Sequence, residues 1–141
     1  MTVFLCHSHK DKTLVEGLIN LLASQFRMML YFDWLDSTMP RVTSHVTALK
    51  IKNQIGDLNL FMILATKNAM ESHWVPWEIG LAEVIKPNDK IVLIPVSDST
   101  GKFFGSEYLQ LYQTIQLSVD KKYSVFKPNE TSGVTLDFAF K

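Results

Sequence analysis

This sequence contains little cysteine, no long apolar run and no excess of charge of either sign. With Cys6 as the single cysteine, no disulfide can form within the chain, which is typical of proteins in a reducing cytosol. No apolar run approaches the roughly 20 residues of a membrane-spanning helix, and the first residues lack the basic and apolar segments of a secretion signal. The sequence therefore predicts a cytoplasmic protein that does not insert into a membrane.

The charges are balanced, with 14 Lys and Arg residues against 14 Asp and Glu residues. Without a basic surface, the sequence does not predict binding to nucleic acid or to an anionic membrane. Glycine is scarce as well, at six residues, and none falls in the loop after the first apolar segment. A Rossmann dinucleotide fold or a P-loop requires a glycine cluster there, so both are excluded.

Apolar residues make up 47% of the 141 positions and charged residues 20%, which suits one globular domain over residues 1–141. Short apolar segments alternate with segments of helical spacing, as in proteins that alternate strands and helices. This order predicts an α/β fold, with an open, mostly parallel sheet of about five strands and helices on both faces. The predicted strands are residues 3–6, 28–32, 58–65, 90–96 and 115–117.

Apolar spacing also predicts the buried faces of the helices. In the first helix the predicted face consists of Leu14, Leu18, Leu21 and Leu22. In the second helix it consists of Val46, Leu49 and Ile55. A third helix is predicted from Pro76 onwards, because proline suits the first turn of a helix, and this start places Glu78 in the first turn.

Glu78 closely follows two tryptophans, Trp74 and Trp77. An acidic side chain in a recess with aromatic walls can hold a sugar or a cationic ring. The alternative is a purely structural role, in which both tryptophans belong to the core and Glu78 is a solvated carboxylate near the start of a helix.

The group formed by Cys6, His7 and His9 does not predict a metal site. Alternation along an extended segment points Cys6 away from both histidines. No second pair of ligands in the sequence has the spacing of a zinc site. A metal site is therefore not predicted.

Three segments are expected to meet beyond the carboxyl ends of the strands, where open parallel sheets bind ligands. Residues 7–11 have the pattern His-Ser-x-x-Asp after an apolar strand, and residues 33–40 follow the second strand. Residues 66–78 follow the third strand and end in the pattern Ser-x-Trp-x-x-x-Glu. In this order, over roughly residues 2–96, they resemble the motifs of Toll/interleukin-1 receptor (TIR) domains. The resemblance is greatest to stand-alone bacterial TIR proteins of the kind found in Thoeris systems.

This resemblance implies a flavodoxin-like, three-layer fold and an enzyme that cleaves NAD at the bond between nicotinamide and ribose, with NAD as substrate and no cofactor. The catalytic glutamate of the family falls on Glu78. A carboxylate there can stabilise the positive charge that develops on the ribose. Trp74 matches the tryptophan that shapes the wall of the cleft. Trp77 belongs either to this wall or to the core, and the core is the expected position.

The resemblance also implies positions for the remaining contacts. The first motif lines the adenine or ribose side of the cleft, and the end of the second strand lies beside nicotinamide. The implied substrate-binding residues are Phe4, His7, Ser8, Asp33, Trp34, Asp36 and Trp74, although Phe4 lies within a strand. The loop that moves or pairs with a neighbouring subunit contains Ser37, Met39 and Pro40.

The partners implied by the resemblance are further subunits of the same chain and a separate effector. The effector would respond to a diffusible messenger derived from ADP-ribose, in defence against phage. Two alternatives stay open. A non-catalytic TIR module would use its loop and helix surfaces to bind proteins, and an enzyme similar to nucleoside deoxyribosyltransferases would use a glutamate as nucleophile on a deoxynucleoside.

Overall fold

The computed structural model describes residues 1–31 and 45–140. Within these ranges seven strands form one sheet in the order β2-β1-β3-β4-β5-β6-β7. The strands are β1 (Thr2–Cys6), β2 (Met29–Tyr31), β3 (Leu60–Ala65), β4 (Ile91–Pro95), β5 (Gln113–Leu117), β6 (Tyr123–Phe126) and β7 (Val134–Thr135). Neighbours from β2 to β5 are parallel, and β6 and β7 join antiparallel. The mostly parallel sheet is confirmed, and β6 and β7 extend it beyond the five predicted strands.

Helices supply the crossover connections that parallel strands need. They are α1 (Lys12–Phe26), α2 (His45–Asp57), α3 (Lys67–Glu71), α4 (Trp74–Ile85) and α5 (Ser106–Leu109). A further helix, α6 (Leu136–Ala139), follows β7 and connects no strands in the described part of the chain. Single 3-10 turns lie at His9–Asp11 and Asn88–Lys90. Within the described ranges, no helix has both the length and the apolar character needed to cross a bilayer.

The sheet separates two apolar layers, because successive side chains of a strand point to opposite faces. In β1, Phe4 and Cys6 belong to the layer shared with α2, α3 and α4, whereas Val3 and Leu5 belong to the layer shared with α1 and α6. All six residues of β3 are buried, as expected for a strand covered on both faces. The predicted arrangement of helices on both faces is thus confirmed.

The buried face of α2 differs from the predicted one. Thr47, Ile51 and Ile55 are buried at a spacing of four residues, whereas Val46 and Leu49 are 55% and 48% exposed. Val46 precedes Ile55 by nine residues, about two and a half turns of helix, so these two side chains lie on opposite sides. The prediction that Val46 and Leu49 share a core face with Ile55 is wrong.

The buried stripe of α1 is also rotated from the predicted one. Leu22 is buried, together with Val15, whereas Leu14 is 44% exposed. Val15 and Leu22 are seven residues apart, which is about two turns, so they share one stripe. Leu14 lies about 100° away from Val15 around the helix and therefore faces outwards.

The helix that carries Glu78 starts earlier than predicted. α4 begins at Trp74, two residues before Pro76. The side-chain oxygen of Ser72 accepts hydrogen bonds from the backbone N–H groups of Trp74 at 3.2 Å and of Val75 at 3.4 Å, which fixes this start as a capping serine does. Glu78 consequently lies in the second turn of α4 and not in the first.

Candidate active site

A cleft of about 440 Å³ opens at the carboxyl ends of β1 and β3. One wall consists of residues 7–10, which connect β1 to α1. The other wall consists of residue 68 and residues 71–74, from α3 and its corner with α4, and Glu78 of α4 lines the same cleft. The first and third predicted segments therefore meet where an open parallel sheet is expected to bind a ligand.

Glu78 is the buried acid of this cleft. Glu78 is only 5% exposed, yet it lines the cleft. Trp74 lies one turn earlier on α4, lines the same cleft and packs against the apolar layer beneath it. A carboxylate with restricted access to water beside an aromatic ring acts more strongly on a developing positive charge than one in bulk solvent.

Trp77 does not occupy the core position that was expected for it. Its side chain is 40% exposed, and its ring meets that of Trp74 edge-on, with centroids 5.1 Å apart and an interplanar angle of 80°. Trp74 and Trp77 are three residues apart, so Trp77 lies further around the outside of the helix. Trp74 forms the wall of the cleft, and Trp77 supports it from outside.

Phe4 packs within the apolar layer. It is 1% exposed and stacks on Phe61, with ring centroids 5.4 Å apart, and it also contacts Tyr31. The structure therefore does not bring its ring to the cleft, because its position within β1 points it into the layer beneath. This corrects the expectation that Phe4 contacts substrate.

His7 and Ser8 do line the cleft, and hydrogen bonds hold both in place. His7 Nδ1 lies 2.9 Å from the carbonyl oxygen of Leu5, and because a carbonyl only accepts, Nδ1 carries the hydrogen. The hydroxyl of Ser8 accepts from the backbone N–H of Lys10 at 3.2 Å and so caps the turn His9–Asp11. These bonds set the shape of the first wall.

Cys6 points away from the cleft, as the alternation along β1 predicts. It is fully buried, and its thiol lies 3.8 Å from the carbonyl oxygen of Val75 in α4. The contact ties the end of β1 to the first turn of the helix that carries Glu78. In the described part of the chain, no cluster of three or more His, Cys, Asp or Glu side chains has the arrangement of a metal site.

The predicted contacts of the second segment lie outside the described residues. They are Asp33, Trp34 and Asp36, expected at the substrate, and Ser37, Met39 and Pro40, expected in the loop between subunits. Their roles remain predictions.

The cleft also contains polar and charged residues that were not predicted as site residues from the sequence. Lys10 and His9 belong to one wall, and Glu71 and His73 belong to the other, near Glu78. Their positions depend on the way the β1–α1 segment and α3 face each other, which no local pattern of residues reveals. The described cleft thus has a cationic side at Lys10 and an acidic side at Glu71 and Glu78.

One carboxylate, that of Asp11, connects the two walls. Its Oδ2 accepts a hydrogen bond from the hydroxyl of Thr66 at 2.5 Å, and its Oδ1 accepts one from the side-chain amide of Asn68 at 2.8 Å. Asp11 belongs to the first motif, but its partners lie 55 and 57 residues later. The sequence gives no sign of this pairing, because it depends on the parallel alignment of β1 with β3.

The far end of α4 is anchored through Tyr112, which is 2% exposed. The Tyr112 hydroxyl donates a short hydrogen bond to the carboxylate of Glu83. Burial, and then this hydrogen bond and the charge of Glu83, raise the pKa of Tyr112 well above its usual value. The helix that carries Glu78 is therefore fixed at Val75 and again at Glu83.

Tyr112→Phe is expected to lower the free energy of unfolding by about 1 kcal/mol at neutral pH, because one hydrogen bond to a carboxylate is lost. The raised pKa of Tyr112 predicts a pH dependence. The unfolded chain, with a tyrosine pKa of about 10, releases this proton at a pH where the folded chain keeps it. The stability that the hydroxyl contributes is complete below about pH 10 and is lost as the pH rises further.

Denaturant unfolding of the wild type and Tyr112→Phe between neutral and alkaline pH measures this effect. The difference between the two proteins should shrink above about pH 10. A difference that stays constant or grows would contradict the role of the hydroxyl. Tyr123→Phe, which removes a hydroxyl from a half-buried tyrosine at the start of β6, is the matched control at neutral pH, and only a small change is expected there.

Comparison with known proteins identifies related sequences. A family profile described as "TIR domain" matches residues 3–125. The chain is 31% identical over 114 residues to "Probable 3' cyclic ADP-D-ribose synthase ThsB'" of Bacillus cereus (strain MSX-D12), covering 78% of this chain and 58% of that protein. It is 29% identical over 80 residues to "Putative cyclic ADP-D-ribose synthase TIR2" of Cytobacillus dafuensis, covering 55% and 21%. The chain therefore spans less than two thirds of the length of either relative.

A solved structure resembles the fold of this chain. It is the crystal structure of a prokaryotic SEFIR domain, which superimposes with a TM-score of 0.54 at 16% sequence identity. The superposition covers 84% of this chain and 88% of that one. At this level of identity the likeness supports the fold, and function has to be argued from the site.

Proposed function

Because this chain belongs to the TIR family, we propose that it cleaves NAD between nicotinamide and ribose, with Glu78 as the catalytic carboxylate. The observation that carries the proposal is the placement of Glu78, which is 5% exposed and lines a cleft walled by Trp74. The names of both relatives, which describe cyclic ADP-D-ribose synthases, support the same chemistry.

The role of Glu78 follows from the way charge moves when the bond between nicotinamide and ribose breaks. Nicotinamide leaves with the electron pair of the bond to C1 of the ribose, so its ring loses its positive charge. The ribose gains oxocarbenium character, and the carboxylate of Glu78 stabilises that charge and holds the ribose hydroxyls. The face of Trp74 suits the cationic nicotinamide ring before the bond breaks.

The two sides of the cleft orient the dinucleotide. The pyrophosphate of NAD carries two negative charges, which Lys10 attracts and which Glu71 and Glu78 repel. The pyrophosphate therefore lies towards Lys10 and His9, and the nicotinamide riboside lies towards Glu78 and Trp74. We expect His7 and Ser8, which line the same cleft, to contact the adenine or ribose side of NAD.

The names of the relatives favour a cyclic product. In that case a nucleophilic group of the same ADP-ribose attacks the oxocarbenium carbon and releases a proton, and water is excluded. Attack by water instead would give ADP-ribose and a proton.

We further propose that the product is a diffusible messenger, which acts on a separate effector in anti-phage defence. Self-associated subunits of this chain would make it in the cytoplasm. Contacts from residues 33–40 would complete the site.

The experiment is to incubate the protein with NAD at high protein concentration, since self-association is part of the proposal, and to resolve the products by mass. The expected products are nicotinamide and a compound lighter than ADP-ribose by one water. ADP-ribose itself would identify a hydrolase. Unchanged NAD at every concentration, with phage lysate also tested as a trigger, would favour a protein-binding module. Turnover of deoxynucleosides and not of NAD would favour a deoxyribosyltransferase.

A further inference from the structure

The two walls of the cleft come from segments that are far apart in the sequence, and Asp11 joins them. Its two carboxylate oxygens accept separate hydrogen bonds from Thr66 and Asn68, at 2.5 and 2.8 Å. We propose that Asp11 is a positioning residue that sets the separation of the two walls and thereby the fit of the dinucleotide. This inference rests on the function proposed above.

The hydrogen bonds from Asp11 to the second wall are strong and have well-held partners. Hydrogen bonds to an ionised carboxylate are about twice as strong as those between neutral groups, and both of these are partly buried. Thr66 is itself 7% exposed, and its hydroxyl also accepts from the backbone N–H of Ala69 at 3.0 Å, which caps α3. Asp11 is therefore bonded to the start of α3 and not to a freely moving side chain.

The first wall is equally connected to Asp11. The backbone N–H of Asp11 donates to the carbonyl oxygen of Ser8 at 3.0 Å, and the Ser8 hydroxyl accepts from Lys10. Residues 8–11 thus form one closed turn, which also carries His9. A displacement of Asp11 moves this entire wall relative to Asn68.

Glu78 lies on α4, and this helix has further contacts of its own. α4 is held by the contact of Cys6 with Val75 and by the bond between Tyr112 and Glu83. Neither contact involves Asp11. Loss of the carboxylate of Asp11 should therefore weaken the binding of NAD more than it slows the breaking of the glycosidic bond, a separation that general unfolding would not produce.

The test measures kcat and KM for NAD in Asp11→Ala, Asp11→Asn, Asn68→Ala and the double variant Asp11→Ala/Asn68→Ala. Asp11→Ala is expected to raise KM about tenfold and to change kcat by less than about threefold. Asp11→Asn keeps one carbonyl oxygen as an acceptor, so its KM should rise about threefold. The double variant should resemble Asp11→Ala alone, because Asn68 acts through Asp11. Asp89→Ala, which removes an exposed carboxylate outside the cleft, is the control and should leave KM unchanged.

A second readout does not depend on NAD cleavage. Amide hydrogen exchange of residues 67–73 should be at least about fivefold faster in Asp11→Ala and in Asn68→Ala than in the wild type, and unchanged in Asp89→Ala. If the wild type does not consume NAD, the proposed function fails, and hydrogen exchange alone tests whether Asp11 connects the two walls. Unchanged exchange in Asp11→Ala would show that it does not. Faster exchange with unchanged KM, or additive effects on KM in the double variant, would overturn the positioning role. Should Asp11→Ala not fold, Asp11→Asn and Asn68→Ala decide by the same criteria.

Discussion

Glu78→Gln is expected to reduce the release of nicotinamide from NAD by at least about a thousandfold. Glutamine has nearly the shape of glutamate, so it keeps the packing of a residue that is only 5% exposed. It lacks the negative charge that stabilises the oxocarbenium-like ribose. The effect should appear in kcat, because the charge acts on the transition state, whereas the melting temperature should change by only a few degrees.

Glu71→Gln is the matched control for this substitution. Glu71 lines the same cleft but is exposed, so removal of its charge should change kcat by less than about threefold. Residual turnover above a tenth of the wild-type value in Glu78→Gln would show that another group supplies the chemistry. A comparable loss in Glu71→Gln would show that the cleft depends on its total negative charge and not on the position of Glu78.

Trp74→Ala is expected to lower kcat/KM for NAD about 30-fold or more. The indole walls the cleft beside Glu78 and packs on the apolar layer below, so its removal admits water and takes away the aromatic face for nicotinamide. The cavity left in a half-buried position should also cost about 2 kcal/mol of stability. Trp74→Phe keeps an aromatic face and should recover most of the activity. Steady-state kinetics and denaturant unfolding measure the two effects separately.

Trp77→Ala is the control for Trp74→Ala, because it removes an indole from the same helix that does not line the cleft. Trp77 is on the same helix and touches Trp74 edge-on, but it is 40% exposed. Its removal should change kcat/KM by less than about threefold and stability by less than about 1 kcal/mol. Equal losses in the two alanine variants would refute a specific role for Trp74 in binding substrate.

The main outline of the fold could be predicted because the relevant signals are local. Apolar segments that alternate with segments of helical spacing gave the strand and helix order, and the sequence around Glu78 indicated a carboxylate beside an aromatic wall. The buried face of α2 was harder to predict from the sequence, because Val46 and Leu49 are apolar yet exposed. Hydrophobicity alone does not distinguish an apolar residue in the core from one at the surface.

The connection between Asp11 and Asn68 could not have been predicted. It depends on the parallel alignment of β1 with β3, which pairs Cys6 with Ile63 and brings the ends of the two strands side by side. Neither strand carries a pattern that specifies the other as its neighbour. The antiparallel β6 and β7 are a similar case, since their short segments are compatible with a strand or a turn until the edge of the sheet is in place.

The distance along the chain between the two walls of the cleft determines when a newly made protein can act. At a synthesis rate of about 5–20 residues per second, residue 78 follows residue 7 by about 4–14 s. β2 is synthesised within that interval and β3 only towards its end, so β1 lacks its central neighbour until residues 60–65 have been made. Until then, a chain still on the ribosome contains the residues of one wall of the cleft without those of the other. The NAD-cleaving activity proposed here would then begin only after Glu78 itself has been synthesised.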